Sequence, residues 1–161
     1  MENTKQLAGK ITLDSFNQQL GRANKLIGEL TNEQLAQETA PGRNTGTYLL
    51  GHLAAVHDAM LPLLGFGDTL HPELVEVFIK NPDKSGLPKP SIADVRAHWE
   101  QVNKALISKL EALAPDQWFE RHTSVSEEDF AKEPHRNRLN VVLGRTNHLT
   151  YHVGQMAFLK R

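Results

Sequence analysis

Four long stretches in which apolar residues recur three or four positions apart constrain this chain more than any other feature. Residues 13–30 set Leu13, Phe16, Leu20, Ala23, Leu26, Ile27 and Leu30 on one helical face. Residues 45–64 repeat the pattern with Leu49, Leu53, Val56, Met60 and Leu63, and His52 falls inside that apolar stripe. A third stripe starts after Ser91 with Ile92, Val95, Trp99, Val102, Leu106, Leu110 and Leu113, and a fourth opens at Leu139 with Val142, Leu149, Met156 and Leu159. No segment alternates apolar and polar residues as a half-buried strand requires. The expected fold is all-α, a four-helix bundle with a long connection between helices two and three.

Local signals mark where these helices begin and end. Thr31 followed by Gln34 reads as a capping box for a short turn of helix, which Pro41 and Gly42 interrupt. Ser91 and Asp94 supply a helix start directly after Pro90. Lys160 and Arg161 suit the negative end of the last helix dipole. Residues 65–90 carry too many glycines and prolines for a long helix; PELVEVFI allows a short one, and plain tethering is the ordinary role of such a connection. The polar stretch after Pro115 reads as a second loop with room for a turn of helix.

A chain of 161 residues is the size of one domain, here 1–161. Eighteen basic against nineteen acidic residues, a net charge of -1, give no field to gather nucleic acid or anionic membrane. With no cysteine there is no disulfide, thiolate metal site or cysteine nucleophile. The amino-terminal segment lacks a basic, then apolar signal and no run is long enough to span a bilayer, so a cytoplasmic protein is expected. A homodimer is expected only because two-fold dimers are the commonest oligomers.

The histidines carry the chemistry. His148 and His152 stand four apart, one turn from each other on the same side of helix four, and His52 lies on the stripe of helix two. Neutral imidazoles at this spacing can grip one divalent ion, with His52 as third ligand if helices two and four are neighbours. Spacing alone leaves open the plainer reading, core histidines hydrogen-bonded to carbonyls. His57, about 140° around the helix from His52, belongs to another face. His71, His98, His122 and His135 read as solvated loop or surface residues. Arg145, one turn before His148, reads as a helix-surface ion-pair former, with reach toward an anionic group above a metal as its alternative. Tyr48, Tyr151, Trp99 and Trp118 read as core, with the tyrosines lining the site and the tryptophans walling a pocket as their alternative. Gln155 can serve a ligand or helix packing equally. Leu149 stands where a His-Glu-x-x-His protease needs its glutamate, and GFGDTLH lacks the lysine and hydroxyl of a phosphate loop.

TGTYLLGHLAAVHDAML and, much later, NHLTYHVGQMAFLK resemble the DinB-like superfamily of metal-binding four-helix bundles; His-x-x-x-His-x-Gly-Gln is the more specific part. The resemblance implies that His52, His148 and His152 bind a divalent metal ion, zinc or nickel, with positions left open for water or a small-molecule substrate. Family members with known activity include transferases using low-molecular-weight thiols and thiol-dependent isomerases. The expected function is therefore a metal-dependent thiol S-transferase; the alternative is a non-catalytic metal-binding bundle serving as sensor, binder or structural subunit.

Overall fold

The computed structural model describes residues 2–160. It is all-helical, and among the described residues there is no strand, only two isolated bridges, Glu38 with Thr45 and Arg121 with Asn137. α1 (Glu2–Glu29) starts well before the expected 13–30, and its exposed Leu7 and Ile11 explain why periodicity alone misses that part. The early turns are held from outside: Gly9 lets the Trp118 indole lie directly on the helix, from a 3-10 turn at Pro115–Phe119.

α2 (Asn32–Leu35) has the expected capping box, with Thr31 Oγ1 accepting from the Gln34 amide and Gln34 Oε1 accepting from the Thr31 amide. α3 (Gly46–Asp58) is capped by Thr45, and the expected single helix to 64 breaks into α4 (Met60–Leu63), because Pro62 has no N–H for the carbonyl of Asp58. α5 (Leu74–Phe78) is the short helix within the following segment. α6 (Ile92–Glu111) starts where Ser91 Oγ accepts from the Asp94 amide at 3.1 Å. α7 (Glu127–Lys132) lies in the region expected as loop. α8 (Arg138–Met156) starts one residue before the expected Leu139, is capped by Asn137, and ends in a 3-10 turn, Ala157–Leu159. Lys160 pairs with Glu29 of α1; Arg161 lies outside the described residues.

α3 is packed chiefly against α6, and also against α5 and α8, while α1 lies along α8. Phe16, Leu49, Leu53, Trp99, Leu106 and Leu149 meet in the shared core. Every residue of α3 except His52 is buried, so this helix has no solvated face. His57 faces another side of the helix from His52, as expected, and is 0% exposed, its ring packed between Phe16 and Trp99. No described helix is long and apolar enough to cross a membrane.

Candidate metal centre

α3 and α8 bring the three sequence-selected histidines together. His148 Nε2 lies 3.2 Å from His52 Nε2 and 3.1 Å from His152 Nε2. All three side chains are partly buried, and their ligand atoms lie within 4.8 Å of one another; no fourth His, Cys, Asp or Glu joins them among the described residues.

The outer nitrogens decide what these inner atoms carry. His52 Nδ1 donates to the carbonyl oxygen of Phe78 at 2.7 Å; a carbonyl only accepts, so a neutral His52 holds its proton on Nδ1 and a lone pair on Nε2. His152 Nδ1 makes the same bond to Gln155 Oε1 at 2.7 Å, and the Gln155 amide nitrogen faces the Tyr151 hydroxyl at 3.5 Å. Two lone pairs therefore point at His148, whose own Nδ1 is buried without a partner. Tetrahedral ligands on bonds of about 2.0–2.1 Å stand roughly 3.3 Å apart. The two observed separations are close to that value, so the donor set fits a divalent ion.

Burial disfavours the protonated forms of His148 and His152. Desolvation, then the neighbouring His152, His52, Arg145 and His57, pushes His148 down to about 4. Desolvation lowers His152 as well, partly offset by its bond to Gln155. Ligation requires the neutral form, so metal loading is compatible with neutral pH and costs no deprotonation at His148.

Phe78 reaches His52 because residue 51 is glycine: a Cβ there would stand 2.4–2.6 Å from three atoms of the Phe78 ring. The Tyr48 hydroxyl donates to the Asn81 carbonyl at 2.7 Å and its ring stacks parallel to His52. The segment expected to tether thus supplies a hydrogen-bond acceptor to the centre.

The family-model match runs over residues 15–156, described as the DinB superfamily. This chain belongs to the DinB superfamily. No curated protein matches it. Among solved structures, a conserved protein from Enterococcus faecalis aligns over 94% of each chain at 16% identity with a TM-score of 0.63, a likeness of fold.

Several side chains of this DinB-superfamily protein stand elsewhere than expected. Tyr151 is 65% exposed rather than core, its ring edge-on to His152. Arg145 makes no ion pair or hydrogen bond among the described residues; it is half-buried, its Nε has no partner, and desolvation lowers its pKa. His98 lies on α6 and, with His71, is only partly exposed, while His122 is half-buried and His135 is exposed as expected. Trp99 and Trp118 are core as expected, and Tyr48 is buried.

Proposed function

We propose that His52, His148 and His152 ligate one divalent ion, zinc or nickel, in a single four-helix-bundle domain, and that the protein is a metal-dependent thiol S-transferase. The observation that carries the reading is the convergence of three imidazole nitrogens with two tautomers set by Phe78 and Gln155. Three protein ligands with open positions are the pattern of a catalytic site, whereas structural sites close the fourth. A divalent ion on these nitrogens would supply Lewis acidity that lowers the pKa of an external thiol at neutral pH.

The chain's own residues set the rest. With no cysteine present, the sulfur must come from a low-molecular-weight thiol cosubstrate. The Phe78 carbonyl and Gln155 orient the two flanking imidazoles and make them better donors. Arg145, one turn before His148 and free of any acidic partner, is placed to hold a negative group of the thiol or the electrophile. A cleft of about 190 Å³ is lined by Thr39, Arg43, Asn44, Leu49 and Gln155, the residue bonded to His152 Nδ1, and suits a small molecule. A homodimer belongs to the same proposal, supported by the exposed apolar Leu143, Tyr151 and Phe158 near the carboxyl end; sedimentation showing only monomer would remove it.

The test is turnover of metal-loaded protein with a panel of small thiols and an aryl halide electrophile. The expected result is a rate that saturates in thiol, requires metal and vanishes in His148→Ala while helical circular dichroism is retained. Metal-loaded protein inactive with every thiol would instead support the non-catalytic metal-binding bundle.

A further inference from the structure

We propose a second divalent-cation site, formed by His71, Glu73 and His98 beyond the carboxyl end of α3. Ligand atoms of these three side chains lie within 4.8 Å of one another, and the His71 and His98 rings are 4.0 Å apart between centroids. The site is built from two elements. His98 comes from α6, and His71 and Glu73 from the segment that leads into α5.

Asp58, the last residue of α3, fixes the second element. It is 1% exposed, and its two carboxylate oxygens accept the consecutive amides of Leu70 and His71 at 2.8 Å each. A buried carboxylate satisfied by two backbone N–H groups pins the His71 backbone against α3 and α6. From His52 to Asp58 the axis of α3 advances about 9 Å, so this cluster and the histidine triad belong to different turns of the helix.

Hydrogen bonding around His71 is compatible with a bound ion. Its Nε2 lies 2.9 Å from Gln101 Oε1 and its Nδ1 lies 3.2 Å from Glu73 Oε1. A neutral imidazole has one N–H, so it can donate to one of these oxygens while its lone pair faces the other. A cation bound between His71 Nδ1 and Glu73 suits the neutral form, with Nε2–H donating to Gln101 while Nδ1 and the carboxylate ligate; without an ion, an imidazolium donating to both oxygens satisfies the same contacts. Gln101 then does for His71 what Gln155 does for His152. Independently, His98 Nδ1 is buried with no partner, an uncommon and costly state for a polar atom that ligation or a bound ion's water would relieve. The set of two imidazoles and one carboxylate suits zinc and its first-row neighbours. Glu73 is exposed, which leaves the site open to solvent and exchangeable.

The experiment counts zinc per chain by elemental analysis, after equilibration of the full chain with buffered low-micromolar zinc, in wild type, His98→Gln, Glu73→Gln, His148→Ala and the double variant that combines His98→Gln with His148→Ala. Isothermal titration and circular dichroism check affinity and folding in each. The proposal expects His98→Gln and His148→Ala each to lose one ion per chain, the double variant to lose both, and Glu73→Gln to weaken the second site at least 10-fold. Retention of the full wild-type zinc count and affinity by both His98→Gln and Glu73→Gln would overturn it. Loss in His98→Gln but not in His148→Ala would sink the triad reading and leave this one standing. If His98→Gln fails to fold, Glu73→Gln, at an exposed position, decides alone.

Discussion

His57 and Arg145 are the two residues whose placement departs most from ordinary surface chemistry, and each yields a prediction. Burial drives His57 down to about 4, well below the ordinary imidazole value, although its bond to Asn103 at 2.7 Å works the other way. The Asn103 amide nitrogen is committed to the Trp99 carbonyl, so its oxygen accepts from His57 Nδ1 and the buried Nε2 stays without a partner. The folded chain therefore binds fewer protons here than the unfolded chain below about pH 6.5. Stability from His57 is fully present above that pH and is lost as pH falls to about 4, a loss on the order of 3 kcal/mol. Urea unfolding of metal-free protein across this window should show the slope, and His57→Gln should reduce it by about one proton; an unchanged slope would contradict the assignment. Arg145→Leu should raise the KM for an anionic thiol about 10-fold, the worth of one charge-assisted contact, with kcat little changed and Arg145→Lys intermediate. An unaltered KM would remove Arg145 from substrate binding.

At the scale of elements, the telling contact is between α3 and α5. Alanine in place of a mid-helix glycine ordinarily gains up to about 1 kcal/mol from propensity. At Gly51 the added Cβ meets the Phe78 ring, so Gly51→Ala should instead destabilise by about 1–3 kcal/mol and weaken metal binding through the Phe78–His52 bond. A stabilised variant with unchanged metal affinity would show that the ring yields freely. The same contact marks the limit of what spacing in a sequence can reveal. His148 and His152 were legible because an i, i+4 pair is a local relation within one helix. The Phe78 carbonyl was not, since a backbone acceptor twenty-six residues from His52 leaves no trace in side-chain spacing. The burial of His57 was not legible because face assignment presumes a polar side, which α3, enclosed by α5, α6 and α8, does not have. The early turns of α1 were missed, and the turn of helix allowed after Pro115 was left unplaced, for the opposite reason: they carry little buried apolar surface to set a period.

For the whole molecule, the all-helical class and the membership of the DinB superfamily were both accessible from sequence, the first from periodicity and the second from the segments around His52 and His148. The meeting of His71 with His98 was not accessible, because it depends on a segment held by Asp58 against a helix that starts about twenty residues later. A metal ion bound only by the folded chain stabilises it by mass action. Zinc at 100 times its dissociation constant should therefore add about 2.7 kcal/mol to unfolding, and chelation should reverse the gain; a melting temperature indifferent to both would mean that no folded-state site exists. The most direct measurement is the metal content of purified wild type beside His52→Ala, His148→Ala and His152→Ala, each checked for helical content. The account predicts that every one of the three loses one equivalent of metal relative to wild type. Full retention of metal by all three folded variants would contradict it.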